Sequence, residues 1–276
     1  MKNYSIYALS DAHGMNEKFD EAIKDILSVK QPEDKIIILG DNIDRGFGSL
    51  EIIQSIMNLQ EKYGSDNVIA LMGNHEEMFL AWLKNRYNTL SLHNGGARTV
   101  QSFIKDANFK ISEKAIIYNS FDQTFTDASF EDKTKDVIGH ILQNHSKEIE
   151  WMKNLKYFHE EGNTLFVHAG FEETPTWHWT NSSKDDMVWK YPAQMGYTPW
   201  NKRVVAGHIM TRELHPEWVP QENENNIYRN KDHIYIDGGA CSEIFGLKGQ
   251  LNILQVKIDG ENETYYDFRT GNIIPE

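Results

Sequence analysis

Four consecutive large aliphatic residues, Ile36-Ile37-Ile38-Leu39, most narrow what this chain can become. Successive side chains of a strand point to opposite faces, so this segment is apolar on both and must be covered on both. Its neighbours supply the cover. Tyr4–Leu9 reads as a strand, and Asn16–Val29 as an amphipathic helix with Phe19, Ile23, Ile26 and Leu27 on one face. A second helix is expected over Ser49–Tyr63 and a further buried strand over Val68–Met72. Strand and helix thus alternate as βαβαβ, the pattern of a parallel sheet with right-handed crossovers. In such sheets ligands collect at the carboxyl ends of the strands.

Beyond the first ninety residues the pattern changes. Arg98 to about Leu155 reads as a polar helical insertion beside the sheet, followed by strands at Thr164–Val167, Arg203–Ala206, His233–Ile236 and Leu251–Ile258. No repeat, low-complexity tract or long linker divides the 276 residues, so one domain, residues 1–276 with the insertion at about 98–155, is expected. No apolar run approaches the roughly 20 residues that cross a bilayer, and Met1–Leu9 has neither the apolar stretch nor the cleavage site of a secretory signal. With the single cysteine, Cys241, this points to a cytoplasmic protein without disulfides. A net charge of −13 without any basic block disfavours nucleic acid as a partner. It does not disfavour a small phosphorylated substrate, because bound cations reverse the field within one cleft.

The chemistry-bearing residues fall where strands end. The first strand runs into Ser10-Asp11-Ala12-His13-Gly14 and the second into Gly40-Asp41-Asn42-Ile43-Asp44-Arg45-Gly46. The third runs into Gly73-Asn74-His75-Glu76, and later strands deliver His168-Ala169-Gly170 and Gly207-His208. Each fragment alone has a bland reading: Asn74 as a helix cap, a lone histidine as a structural hydrogen-bonding residue, Arg45 as a surface ion pair. Five such ends in order, expected at one sheet edge, favour a common site.

Asp, Asn and His supply the oxygen and imidazole ligands that suit Mn²⁺, Fe or Zn²⁺ better than Ca²⁺. Asp11 and His13, two apart on an extended segment, would hold one ion; Asn74, His168 and His208 would hold a second; Asp41, with two carboxylate oxygens, would bridge them. Two cations about 3.5–4 Å apart share a water, lower its pKa and clamp a phosphate through in-line displacement. His75 would protonate the leaving oxygen. Asp44 would pair with it and favour the charged ring. Arg45 offers a planar fork matched to phosphate oxygens.

These motifs resemble those of the PPP-type metallophosphoesterases, a family of calcineurin-like fold that includes protein serine/threonine phosphatases and symmetrical diadenosine tetraphosphatases. Asn94-Gly95-Gly96 with Thr99, and Ile236-Asp237-Gly238-Gly239, resemble its bacterial branch. The resemblance implies a four-layer α/β/β/α sandwich of two mixed sheets, a dinuclear centre often holding Mn²⁺ or Fe, and direct hydrolysis without a phosphoenzyme. The six ligands and the His75–Asp44 acid pair coincide with the family pattern. The chain departs from it twice. Lys190, after Trp189, stands nearest to where the family has a second phosphate-binding arginine, and Ile209 rather than threonine follows His208. Trp177, Trp179, Trp189, Trp200, Tyr191 and Tyr197 crowd the same interval and would either line a substrate cleft or pack a cover layer.

The resulting expectation is a phosphomonoester hydrolase attacking through a metal-bridging hydroxide, acting on phosphorylated Ser or Thr of a protein. The alternatives are a symmetrical dinucleoside tetraphosphate hydrolase and, from another class, an inactive module that only binds phosphate. An inactive relative would have lost ligands or the acid, and here all are present.

Overall fold

The computed structural model describes residues 3–85, 91–104, 128–214 and 224–275, and for residues 92–93 and 128–133 the backbone alone. Strands β1 (Asn3–Leu9), β2 (Lys35–Ile38) and β3 (Val68–Ala70) pair in parallel, with Ile6 opposite Lys35 and Ile36 opposite Val68. Helices α1 (Asn16–Val29) and α2 (Ser49–Tyr63) make the crossovers, where the periodicity predicts them. The chain returns to this sheet at its far end. Strands β9 (Leu254–Asp259) and β10 (Asn262–Asp267) form an antiparallel hairpin whose first strand lies against β1, giving the order β10-β9-β1-β2-β3.

A second sheet has the order β4-β5-β6-β8-β7, from β4 (Phe158–Glu161), β5 (Thr164–Val167), β6 (Arg203–Ala206), β7 (Tyr228–Asn230) and β8 (His233–Tyr235). The reading of the residues alone put all five ligand-bearing tips on one edge. They are instead divided, three on the first sheet and two on the second, which is the two-sheet arrangement the resemblance implies.

Side-chain alternation explains why the sheets stack. Ile6, Ala8, Ile37, Leu39, Ile69, Leu71 and Val256 point inward against Phe166, Val205 and Ile234. Their sequence neighbours Tyr7, Leu9, Ile36 and Ile38 point outward to Phe19, Ile26, Ile52 and Ile56 on α1 and α2. On the other side Leu165, Val167, Val204 and Ala206 pack against Phe171, Trp179 and Met187, the last on helix α7 (Lys184–Trp189). Helices cover each sheet's outer face, and the result is four layers, α/β/β/α.

The expected insertion contributes helix α4 (Ala97–Ile104), α5 (Ala128–Asn144) and α6 (Ser146–Lys153) to the first helical layer; its residues 105–127 lie outside the described ones. A π-helical turn, Leu92–Gly96, leads into α4. Helix α3 (Asn74–Lys84) leaves directly from the end of β3. Strands β4, β7 and β10 have no counterpart in the sequence reading. All three are antiparallel edge strands, half exposed, whose Phe158-His159-Glu160-Glu161, Tyr228-Arg229-Asn230 and Asn262–Asp267 lack a continuous apolar signal.

Candidate metal centre

The tips of β1, β2, β3, β5 and β6 converge. The loops after β6 and β1 approach closely at Gly207, where a side chain would collide with Ser10 and Asp11, and His208 donates its backbone N–H to Asp11 Oδ2 at 3.0 Å. Within the first sheet, Gly40 has φ +99°, and a Cβ there would lie 2.6 Å from the backbone nitrogen of Gly73. Asp11, His13, Asp41, Asp44, Arg45 and His208 all have φ between 44° and 72°. Non-glycine residues hold such backbone angles at a cost of order 1–3 kcal/mol each, and such strain clusters at functional sites.

One oxygen sits at the middle. Asp41 Oδ2 lies 3.7 Å from His13 Nε2, 3.8 Å from His75 Nε2 and 3.4 Å from His168 Nε2. Asn74 Oδ1 is 2.9 Å from His168 Nε2 and 3.1 Å from His208 Nδ1. His13 Nε2 is 3.8 Å from Asp11 Oδ1. All six expected ligands are therefore in one cluster. Two triplets, His13–Asp41–His75 and Asp41–His168–His208, each present ligand atoms within 4.8 Å of one another, and Asp41 is common to both.

The surroundings fix the rings. His13 Nδ1 faces the carbonyl of Ile43 at 3.0 Å and His168 Nδ1 that of Leu39 at 3.0 Å. A proton on each Nδ1 answers the carbonyl and leaves Nε2 as the atom that faces inward. Asp11 Oδ2 accepts from Ser10 and from His208, whereas its buried Oδ1 has no hydrogen-bond donor. A bare carboxylate oxygen facing a histidine lone pair calls for a cation.

The titration behaviour agrees. Burial holds His13 well below the usual histidine range, with Arg45 and His75 adding to it, and burial with neighbouring His168 holds His208 down to about 4. Both rings are neutral, as ligands must be. Burial also opposes charge on His168, but Asp41 and Asp11 outweigh it and raise that ring to about 9. Its proton answers the same negative charge that a metal ion would answer. The donor set, oxygen and imidazole with no sulfur, fits a first-row divalent cation.

Beside the cluster His75 Nδ1 meets Asp44 Oδ2 at 2.7 Å, and both residues are buried. Burial works against a charged His75, but Asp41 and Asp44 together raise it above its ordinary value. Arg45 Nη2 lies 3.2 Å from His75 Nε2, and Nη1 lies 3.7 Å from Cys241 Sγ. Burial pushes the Cys241 thiol up, away from thiolate chemistry. Lys190 does not join this group. Its ammonium is held by Glu172 at 3.0 Å and Asp186 at 3.5 Å, an arrangement that satisfies the cation locally. The aromatics divide: Trp179 and Trp200 pack the cover layer, while Trp177, Tyr191 and Tyr197 are exposed and Trp189 stands edge-on to His208, ring centres 6.3 Å apart.

Three residues that the sequence reading left without a role support the site. Glu76 accepts the backbone N–H groups of Asp41, Asn42 and Gly73 at 2.9, 2.8 and 3.1 Å, pinning the strained loop from below. From the third position of α3 it thus closes back on the Gly73 N–H that precedes the helix, half of a capping box, since glycine has no side chain to supply the other half. Thr99 donates to Asp44 Oδ1 at 2.5 Å and accepts from Asp44 N at 2.8 Å, tying α4 to the acid pair. Ser49 lies 3.0 Å from Thr99 Oγ1 and takes part in the same knot.

The family model of the calcineurin-like phosphoesterases matches residues 4–238, a span that holds every residue of the cluster and its supports except Cys241. The chain belongs to this family. Members of the family bind divalent metals. The phosphoesterase is 22% identical over 173 residues to a symmetrical bis(5'-nucleosyl)-tetraphosphatase of Nitrosospira multiformis. That match takes in 63% of the phosphoesterase and 45% of the relative, less than half the relative's length. In fold it resembles the crystal structure of a cold-active protein-tyrosine phosphatase from a psychrophilic Shewanella species. There the TM-score is 0.51 and the identity 14%, over 99% of this chain and 82% of the other. A second cold-active protein tyrosine phosphatase structure gives a TM-score of 0.52 at 14% identity, over 99% and 80% of the two chains. Among the described residues of the phosphoesterase, no helix is long and apolar enough to cross a membrane.

Proposed function

We propose that the phosphoesterase hydrolyses phosphate monoesters at a two-cation centre, with Asp11, His13, Asn74, His168 and His208 as terminal ligands and Asp41 as the bridge. The observation that carries this reading is the single oxygen, Asp41 Oδ2, within 3.4–3.8 Å of ring nitrogens from three different loops. When bound, divalent cations supply Lewis acidity toward phosphate oxygens and lower the pKa of a water.

In the reaction the phosphorus–ester oxygen bond breaks and a bond from phosphorus to the water oxygen forms. The departing oxygen needs a proton. His75, oriented through Nδ1 by Asp44, gives it from Nε2. Arg45, whose fork points at the same spot, binds two non-bridging oxygens and fixes the phosphate relative to His75. Glu76 and Thr99 act behind these groups as positioning residues. His75, Asp44, Glu76 and Thr99 are buried, which excludes bulk water and strengthens each of their interactions.

This machinery reads only the scissile phosphate. A phosphorylated Ser or Thr side chain satisfies it, and so does a dinucleoside tetraphosphate, the reading favoured by the likeness to the symmetrical tetraphosphatase. Asp41→Asn tests the reading. After Mn²⁺ loading the variant should bind at least one ion fewer per chain, and turnover of p-nitrophenyl phosphate should fall by about three orders of magnitude, on the order of 4 kcal/mol. Its circular dichroism should match wild type. Retention of wild-type activity would place the bridge elsewhere.

A further inference from the structure

Beside the site two guanidiniums, those of Arg45 and Arg98, have no carboxylate partner among the described residues, in a chain with 41 acidic and 28 basic residues. Arg203 pairs with Asp232 at 3.0 Å, and the lysines at 18, 35, 190 and 202 each meet a glutamate at 3.0 Å or less. Arg98 meets none among the described residues. It donates from Nη1 to the carbonyl of Arg45 at 2.5 Å, and its guanidinium lies 4.4 Å from the centre of the Phe47 ring. One of its five N–H donors is thus used. Phe47 follows Gly46 directly and is 55% exposed, although it is a large apolar side chain.

The backbone around these two residues is held from both sides. Arg45 N donates to Gly95 O at 3.3 Å, and Thr99, one residue past Arg98, grips Asp44. Arg98 therefore does not swing freely. It is stacked against a ring and strapped to the loop that carries Arg45. A guanidinium stacked on an aromatic face keeps its in-plane donors free for anions. Through the 2.5 Å hydrogen bond and the Arg45 side chain, its charge lies at most about 14 Å from the Arg45 guanidinium. With each guanidinium meeting a phosphate from about 4 Å, two phosphates up to about 6 Å apart, adjacent or next-but-one in one chain, fit between them. Lys190, by contrast, is satisfied by two carboxylates.

We propose that Arg98, stacked on Phe47, forms a distal phosphate subsite, so that the preferred substrates carry linked phosphates, as nucleoside polyphosphates do, rather than one isolated phosphomonoester. The scissile phosphate would sit at Arg45 and the cations, the next or next-but-one phosphate at Arg98. This rests on the hydrolase reading above for which phosphate is cleaved, but not for the existence of the subsite.

The test compares wild-type protein, Arg98→Met and Phe47→Ala, each Mn²⁺-loaded, on diadenosine tetraphosphate and on p-nitrophenyl phosphate. Arg98→Met should lower kcat/KM for the dinucleotide at least tenfold more than for the aryl monoester, chiefly through KM. Phe47→Ala, which leaves the bond to Arg45 untouched, should shift the same ratio about threefold. Equal losses on both substrates in both variants overturn the proposal, because Arg98 would then merely brace Arg45. A separate arm measures binding of inorganic tripolyphosphate and of orthophosphate to the metal-free proteins by calorimetry. Wild type should bind tripolyphosphate at least fivefold more tightly than Arg98→Met, with orthophosphate nearly unchanged; equal tripolyphosphate affinities also overturn it. If wild type cleaves neither ester, the hydrolase reading fails while the tripolyphosphate comparison still decides the subsite.

Discussion

Replacing Thr99 by valine removes one hydroxyl from the interior without changing its shape. Thr99 and Asp44 are both fully buried. The hydroxyl donates to Asp44 Oδ1 at 2.5 Å and accepts from Asp44 N at 2.8 Å, while Ser49 Oγ stands 3.2 Å from the same N–H. Loss of a hydrogen bond to a charged acceptor costs about 1.5–3 kcal/mol. The N–H retains Ser49 as a weaker partner, so its loss adds at most about 1 kcal/mol. We expect Thr99→Val to destabilise the metal-free protein by about 2–4 kcal/mol, a large part of an ordinary folding free energy of about 5–15 kcal/mol. Thr99→Ser keeps the hydroxyl and loses a methyl, for about 0.5–1.5 kcal/mol. Urea unfolding followed by tryptophan fluorescence reads both. A serine variant as costly as the valine one would refute the reasoning, because packing rather than the knot on Asp44 would then be what Thr99 supplies.

Two further outcomes are expected. His75→Asn should slow alkyl phosphates by at least tenfold more than p-nitrophenyl phosphate, since a good leaving group needs little protonation; equal losses would remove His75 from the role of acid. At the opposite end of the sheets, hydrogen bonds from His159, Lys35 and Tyr4 outweigh burial and hold the Glu161 carboxyl at about 2. An unfolded glutamate titrates near 4.3, so this cluster stabilises the fold fully above that pH and loses its contribution as pH falls from about 4.3 toward 2. For a partly exposed cluster the amount is about 1–2 kcal/mol. The stability gap between wild type and Glu161→Gln, measured by urea unfolding, should therefore close between pH 5 and pH 2.5; a constant gap would contradict the assignment.

The first half of the fold was legible because both its strands and its helices carry one-sided or two-sided apolar patterns. Ile36–Leu39 could only be an interior strand, and α1 and α2 lie where their periodicity puts them. The edge strands β4, β7 and β10 were not legible, because one face meets solvent and none carries a continuous apolar run, although each pairs with its neighbour in sequence, as Tyr265 opposite Val256 illustrates. At the site, residue types and adjacent glycines marked the residues that now cluster around Asp41. The pairing of Lys190 with Glu172, eighteen residues away, was not legible, because no local pattern announces it. Glu76 and Thr99 work through backbone amides and a second carboxylate, contacts that have no signature in residue order except the cap at Gly73. The strained backbone angles at Asp11, Asp41 and Asp44 were equally invisible, since such angles are usually signalled by glycine or asparagine.

Because the candidate ligands are divided between two sheets, the spacing of the two ligand groups is not a property of any single loop. It is gauged by the hydrocarbon wall between the sheets, where Ile37 and Leu39 meet Phe166 and Val205. A methyl group added or lost there alters the bite of the pincer without touching one of its teeth. The greasy middle of this molecule is in that sense part of its inorganic chemistry.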